Sequence, residues 1–257
     1  MNKITVKNIT VTRGEAGLVN GANVSVGDGE FAVLLGPNGA GKTSLLRAAL
    51  GLLPVDSGET FLNEKPIGAI DVTERAKMVS YLPQTRALAW PVSVRDVVAL
   101  GRFAHGAPLG KLPERDAKAV DDAIAKCGLE RFANRSTATL SGGELARVHF
   151  ARAFAANTPL MVADEPVAAL DPLHQHQVLR LMRGYVDNGG GVLCVLHDIG
   201  LAAQYADRLI WMMDGKIVAD GSVDETLTSE RMAEIYGVNA VIQKQSGKCT
   251  IHIDGPA

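Results

Sequence analysis

The sequence predicts an α/β fold: a sheet core covered by helices on both faces, entered through an antiparallel β subdomain and interrupted by an inserted α-helical subdomain. Three observations predict it. The first third alternates apolar and polar residues with the period of a half-buried strand, and later strands are continuous apolar runs, the mark of strands covered on both faces. Between Pro83 and Pro159 no strong strand pattern appears at all, only helical ones.

Taken in order, ITVKNITV (4–11), ANVSV (22–26) and EFAVLLG (30–36) read as strands separated by Gly- and Asn-rich turns. A helix begins near Gly41. Strands recur at MVSYL (78–82), LMVAD (160–164), VLCVLH (192–197) and RLIWMM (208–213). The interval between them holds helical segments at VRDVVALGR (94–102), PERDAKAVDDAIAKCG (113–128) and SGGELARVHFARAFAA (141–156). Gly189-Gly190-Gly191 reads as a helix-to-strand turn. On the helix after Pro172, the residues Leu173, Leu179, Met182 and Val186 are expected to form a buried packing stripe. His174 and His176 lie two apart, so they do not share a helix face and do not read as a metal pair.

With 257 residues, 47% of them hydrophobic, the chain can bury a sizeable core. A formal charge of −2 leaves no excess of cations, which argues against broad electrostatic binding to nucleic acid or an anionic membrane. No apolar run is long enough to span a bilayer, and MNKITVKNIT lacks the apolar core of a secretory signal. Any membrane role is therefore expected to come through a partner. The three cysteines, Cys127, Cys194 and Cys249, are odd in number and far apart, as free thiols of a reducing compartment would be.

Strand EFAVLLG runs into GPNGAGKTS (36–44), which satisfies G-x-x-x-x-G-K-[ST] in the strand–loop–helix setting a phosphate cradle needs. Gly36, Gly39 and Gly41 let backbone N–H groups curl around phosphate oxygens, with Pro37, Asn38 and Ala40 between them, and the helix that opens there points its positive end at the same anion. Lys42 is the expected cation for the β- and γ-phosphates of ATP, and the Thr43 hydroxyl is placed for Mg²⁺. Ser44 is expected to pack or bond locally at the edge of the same site.

LMVADEP (160–166) ends an apolar strand in two adjacent carboxylates, which are costly to hold together without a cation or hydrogen bonds. Asp164 is the expected Mg²⁺ ligand and Glu165 the group that orients the attacking water. In LSGGE (140–144), Ser141, Gly142 and Gly143 stand at a helix N-terminus and form a second anion site, followed by Glu144. One chain then carries two half-sites for phosphate.

Together these motifs resemble the ATP-binding cassette (ABC) family. The likeness spans residues 1 to about 236. It implies a P-loop NTPase (RecA-like) core in one ABC ATPase domain over 1–257: β and RecA-like core at 1–84 and 157–236, helical subdomain with the signature at 85–156, and a C-terminal extension at 237–257. It also implies a homodimer in which each Ser141–Glu144 signature closes over the ATP held by the partner's P-loop. By the same resemblance, Gln84 in SYLPQ touches Mg²⁺ and the attacking water, Asp171 in AALD senses the opposite site, and His197 is the switch histidine that steadies Glu165.

Two departures stand out. The position for an adenine-stacking aromatic falls on Arg13, whose planar guanidinium can stack on a base in its place. Val167 and Ala168 stand where small hydroxyl residues are usual, which would alter communication between the sites without removing catalysis.

PVSVRDVVALGRFAHG (91–106) is similar to a segment of importers of iron–siderophore, haem and cobalamin complexes. It implies separate membrane permease subunits docked on the helical subdomain, a periplasmic substrate-binding protein, and a place on the cytoplasmic face of the bacterial inner membrane. Charge reversal at Arg102 is then expected to impair transport coupling more than basal ATPase. The alternative is a soluble ABC ATPase acting on a protein scaffold, such as one for iron–sulfur cluster assembly.

Overall fold

The computed structural model describes every residue except 15, 85–90, 108–110, 169 and 246–247. Two strands open the chain, β1 (Lys3–Arg13) and β2 (Ala16–Gly27), followed by β3 (Phe31–Leu35) and helix α1 (Lys42–Ala49). Next come β4 (Ser57–Leu62), β5 (Lys65–Pro66), α2 (Val72–Met78) and β6 (Val79–Leu82). Helices α3 (Val94–Ala99), α4 (Glu114–Lys126) and α5 (Gly142–Ala155) fill the interval before β7 (Leu160–Asp164). The chain continues through α6 (Pro172–Asp187), β8 (Gly191–Val195), α7 (Ile199–Tyr205), β9 (Arg208–Met213) and β10 (Lys216–Ser222). It ends in α8 (Val223–Thr226), α9 (Ser229–Tyr236), β11 (Val238–Gln245) and β12 (Lys248–Pro256).

Among the described residues the strands form a six-stranded sheet, ordered β10-β9-β3-β8-β7-β6, and a four-stranded sheet, ordered β2-β1-β4-β5. The central strands β9, β3, β8, β7 and β6 pair in parallel, and β10 joins antiparallel at one edge. The four-stranded sheet is antiparallel throughout. The α/β core with its antiparallel β subdomain is therefore as the sequence predicts.

Both faces of the central strands are buried, and the strand period sorts them. Phe31, Val33 and Leu35 of β3 point into one apolar cluster with α3 to α7 and α9. Ala32 and Leu34 point into a second cluster with α1 and the antiparallel sheet. This two-sided burial is why the strands read as unbroken apolar runs.

The described residues between β6 and β7 are mainly helical, and two of their three helices begin at side-chain caps: Ser93 Oγ accepts from the Asp96 N–H for α3, and Ser141 Oγ from the Glu144 N–H for α5. After α3 the chain tightens into a 3₁₀ turn, Leu100–His105. Here the sequence expectation for Arg102 fails. Its side chain is 3% exposed, its Nε donates to Asp116 Oδ1 at 2.7 Å, and its Nη1 donates to the Ala155 carbonyl at 2.8 Å. Arg102 cannot face a docking partner; it ties α4 and the end of α5 to the 3₁₀ turn. The exposed apolar groups of that turn are Leu100 and Phe103, the latter 70% exposed.

A second correction concerns the packing stripe of α6. Leu179, Met182 and Val186 are buried as expected, together with Val178, but Leu173 is 65% exposed. It sits in the first turn, before the helix reaches the core. Strands β11 and β12, which lie in the stretch expected only as an extension, pair antiparallel, pack on α9 and α7 and contribute Ala240, Ile242 and Ile251 to the first cluster.

Candidate active site

Gly36 to Gly41 join β3 to α1, and two of the glycines are obligatory for reasons of space as well as conformation. A Cβ on Gly36 (φ 150°) would lie 2.0 Å from the Met212 carbonyl oxygen, and one on Gly41 (φ 98°) 2.0 Å from that of Leu18. The loop is pressed onto β9 and β2, and its outer side is left free for a ligand. A cavity of about 210 Å³ opens there, lined by Leu18, Asn38, Gly39, Ala40, Gly41, Lys42, Thr43, Ser44 and Glu165.

Lys42 is buried, and its Nζ donates to the carbonyls of Gly36 at 2.7 Å and Pro37 at 2.8 Å. An ammonium has three donors, so one remains for a phosphate oxygen. Burial lowers its pKa, while Glu165 and Asp164 oppose that by favouring the cation.

Asp164 ends β7 and is buried; its Oδ1 accepts from the Thr43 hydroxyl at 3.2 Å. Its other oxygen, Oδ2, is buried without a hydrogen-bond partner. Burial pushes the carboxyl pKa up, the Thr43 bond pulls it down, Glu165 adds to the rise, and Arg47 and Lys42 offset it. A buried carboxylate with one idle oxygen beside a hydroxyl is what a hard divalent cation needs, so the donor set fits Mg²⁺.

Glu165 turns away from its neighbour in the left-handed region, φ 49°. Its Oε1 lies 2.7 Å from His197 Nε2, and its Oε2 accepts from Gln84 Nε2 at 2.8 Å. Gln84 follows β6, Glu165 follows β7 and His197 follows β8. The structure thus brings together all three groups that the sequence nominated for this role.

The signature residues do not line the phosphate cavity of their own chain; Gly142 lines a neighbouring cavity with Gln84 and Glu165. Ser141 and Glu144 close a capping box, with the Ser141 N–H donating to Glu144 Oε2 at 2.8 Å and the Glu144 N–H to Ser141 Oγ at 3.2 Å. These bonds lower the Glu144 carboxyl pKa, the Ser141 backbone N–H being the largest cause. The Glu144 carboxylate is occupied in building the helix start; Gly142 is exposed at that start and Gly143 is buried in it. Asp171 caps α6: Oδ1 accepts from the His174 N–H at 3.0 Å, and Oδ2 lies 2.6 Å from His174 Nδ1.

Arg13 is exposed at the end of β1 and does not line the phosphate cavity, where Leu18 of β2 does. Two groups near the site went unread in the sequence. Leu18 carries no chemical signal. Arg47 does: it lies one helical turn beyond Thr43 on α1, at i+4, where its charge reaches Asp164.

Residues 19–168 match the family model described as ABC transporter. The chain is 39% identical over 231 residues to the hemin import ATP-binding protein HmuV of Rhodococcus jostii, covering 89% of this chain and 78% of that protein. It is 36% identical over 246 residues to HmuV of Pseudomonas aeruginosa, covering 94% of this chain and 95% of that one. Among solved structures it is similar to the dimeric post-hydrolysis state of the ATP-binding cassette MJ0796 bound to ADP and Pi. There the TM-score is 0.74 and the identity 28%, over 86% of this chain and 98% of that chain.

Proposed function

This chain belongs to the ABC transporter family and is an ATPase, and from that premise we propose that it powers import of a chelated iron compound, hemin in the first place, through separate permease subunits. The observation that carries the substrate class is the 36–39% identity, over about nine-tenths of the chain, to proteins named for hemin import. Iron–siderophore and cobalamin complexes are the neighbouring possibilities that the 91–106 segment suggests.

In this reading two copies pair head-to-tail around two ATP molecules; that a similar cassette, MJ0796 bound to ADP and Pi, is dimeric supports the pairing. Each copy offers its P-loop, Gly36 to Ser44, to one nucleotide and its Ser141–Gly143 turn to the other. Lys42 spends its remaining donor on the phosphates, and the loop amides bind the same oxygens. Thr43 and Asp164 would hold Mg²⁺ with Gln84 nearby, and the ion supplies charge neutralisation on the phosphates when bound.

Glu165 orients the attacking water and takes up its proton. The bonds from His197 and Gln84 fix both carboxylate oxygens, so the base meets the water in one pose. Asp171 stands at the pairing surface as the group that senses the opposite site, and Arg13 remains our candidate for adenine stacking.

Among the described residues no helix is long and apolar enough to cross a membrane. We place the subunit on the cytoplasmic face of an inner membrane through its permease, with a periplasmic binding protein delivering substrate on the other side. The exposed Leu100 and Phe103 of the helical segment are the apolar groups offered to that permease.

The test is uptake by the complex reconstituted with its co-purifying permease and binding protein. Labelled hemin, a ferric siderophore and cobalamin are compared with an amino acid and a sugar. Saturable, ATP-dependent uptake of hemin is expected. Uptake of only the amino acid or the sugar overturns the substrate assignment and leaves the ATPase untouched.

A further inference from the structure

The two glycines of the signature turn stand in different surroundings. A Cβ on Gly142 would meet nothing within 4 Å, whereas one on Gly143 would lie 2.4 Å from His174 Cδ2, 2.5 Å from Cγ and 2.7 Å from Nε2. Gly143 is buried in the first turn of α5, and the imidazole of α6 lies flat against the place a side chain would take.

That ring has little freedom to move. Its Nδ1 is 2.6 Å from Asp171 Oδ2, and the His174 N–H donates to Asp171 Oδ1 at 3.0 Å. The two bonds make Asp171 and His174 one unit at the start of the 16-residue helix α6. The bonds hold the Asp171 carboxyl below its ordinary range, the His174 N–H first and its imidazole second. On the other side, the Ser141–Glu144 capping box fixes the turn that carries Gly143. His176, two residues on, faces elsewhere and meets the Tyr205 hydroxyl at 2.8 Å. A single imidazole therefore joins the loop of Asp171 to the anion-binding turn of the signature within one chain.

We infer that His174 is a positioning residue: held by Asp171 and packed on Gly143, it makes the Asp171 loop and the signature turn move as one piece. A displacement of Asp171 by the opposite copy is then passed to the Gly142–Gly143 amides without a flexible joint. Gly143 is glycine because of the ring, and Gly142 for the access of a ligand. The inference rests on the proposed head-to-tail pairing, since only there do the two loops face the same partner.

The experiment is a double-mutant cycle of Gly143→Ala and His174→Ala in the full chain, with each variant's folding checked by circular dichroism. ATP turnover is measured alone, and ATP-dependent dimer formation is measured in the Glu165→Gln background. His174→Ala is expected to lower kcat about tenfold while KM for ATP changes less than about twofold, because the P-loop is untouched. His174→Asn, which keeps a donor toward Asp171, is expected to recover at least half of the lost rate.

Gly143→Ala alone is expected to be at least as slow as His174→Ala, and the double variant no slower than His174→Ala alone, because the obstructing ring is gone. Multiplying losses in the double variant, or an unchanged kcat in His174→Ala, would overturn the inference. If Glu165→Gln with His174 intact forms no ATP-dependent dimer, the pairing reading itself fails. Equal dimers in every variant, with additive losses, sink the role of His174 alone.

Discussion

Removing the Arg102 guanidinium should destabilise the fold rather than uncouple a transporter. In Arg102→Met the side chain keeps its approximate length and loses its charge, its bond to Asp116 and its bond to the Ala155 carbonyl near the end of α5. The two partners are 3% and 11% exposed, so solvent screens little of the loss and the Asp116 carboxylate is left buried without a counter-ion. Breaking such a pair on one side costs about 3–5 kcal/mol. For a domain of this size each kcal/mol lowers Tm by roughly 2–4 °C, so a fall of roughly 6–20 °C is expected. Arg102→Met/Asp116→Leu removes both charges and should regain part of that, leaving a deficit of about 1–3 kcal/mol from the unpaired Ala155 carbonyl. Thermal unfolding followed by circular dichroism, with urea midpoints as a second measure, decides the matter. An Arg102→Met variant that melts within about 2 °C of the parent, yet loses transport-coupled ATPase, would refute the structural reading and return Arg102 to the docking surface.

Four further outcomes follow from the same geometry. Glu165→Gln should bind ATP with nearly unchanged affinity, lose most hydrolysis and accumulate an ATP-bound dimer; turnover near the parent rate in a phosphate-release assay would remove Glu165 from catalysis. Phe103→Asp should leave basal ATPase of the isolated subunit within about twofold and sharply reduce permease binding in a pull-down, as loss of an exposed aromatic anchor does. Arg13→Ala should weaken ATP by about 1–2 kcal/mol in calorimetry if the guanidinium stacks on adenine, with Arg13→Tyr restoring it; unchanged affinity assigns Arg13 to the solvent. Burial pushes the Cys127 thiol up to about 12, so at pH 8 a maleimide should modify half-buried Cys249 and spare Cys127 and Cys194 until the chain is unfolded.

What could be read in advance depended on whether the signal was local. The parallel strands announced themselves because burial on both faces leaves an unbroken apolar run, as in LMVAD and VLCVLH. Strand β4, SGETFL, is exposed along half its length and finds its partner β1 some fifty residues earlier, so nothing in its own composition marks it. The β11–β12 hairpin presents mixed polar and apolar residues and owes its order to packing on α7 and α9. The buried pairing of Arg102 went unread for a similar reason: its partner Asp116 is fourteen residues on, with nothing local to mark it. Leu173 failed in the opposite direction, since a periodic stripe says which face is apolar but not where along the helix the core ends.

The groups gathered around Glu165 could be named from the sequence, though Leu18 and Arg47 could not, because their geometry follows from the sheet order. The P-loop follows β3, His197 follows β8, Asp164 and Glu165 close β7, and Gln84 follows β6, and in the sheet these strands are neighbours in the order β3-β8-β7-β6. Parallel strands deliver all their carboxyl ends to one edge, so groups far apart in sequence meet there without any local signal of proximity. The adjacent carboxylates are then separated by the end of the strand itself. Asp164, still in β7, points inward to Thr43 with one oxygen idle; Glu165, one step beyond, takes a left-handed φ of 49° and swings to Gln84 and His197. A non-glycine residue in that region ahead of proline is strained, and the surroundings must over-determine it to keep it there. The turn is closed by the Ala168 N–H donating to the Glu165 carbonyl at 3.3 Å, and the bonds from Gln84 and His197 add to it from the side-chain end, so a chain lacking either would release the base and lose part of what holds the strained backbone.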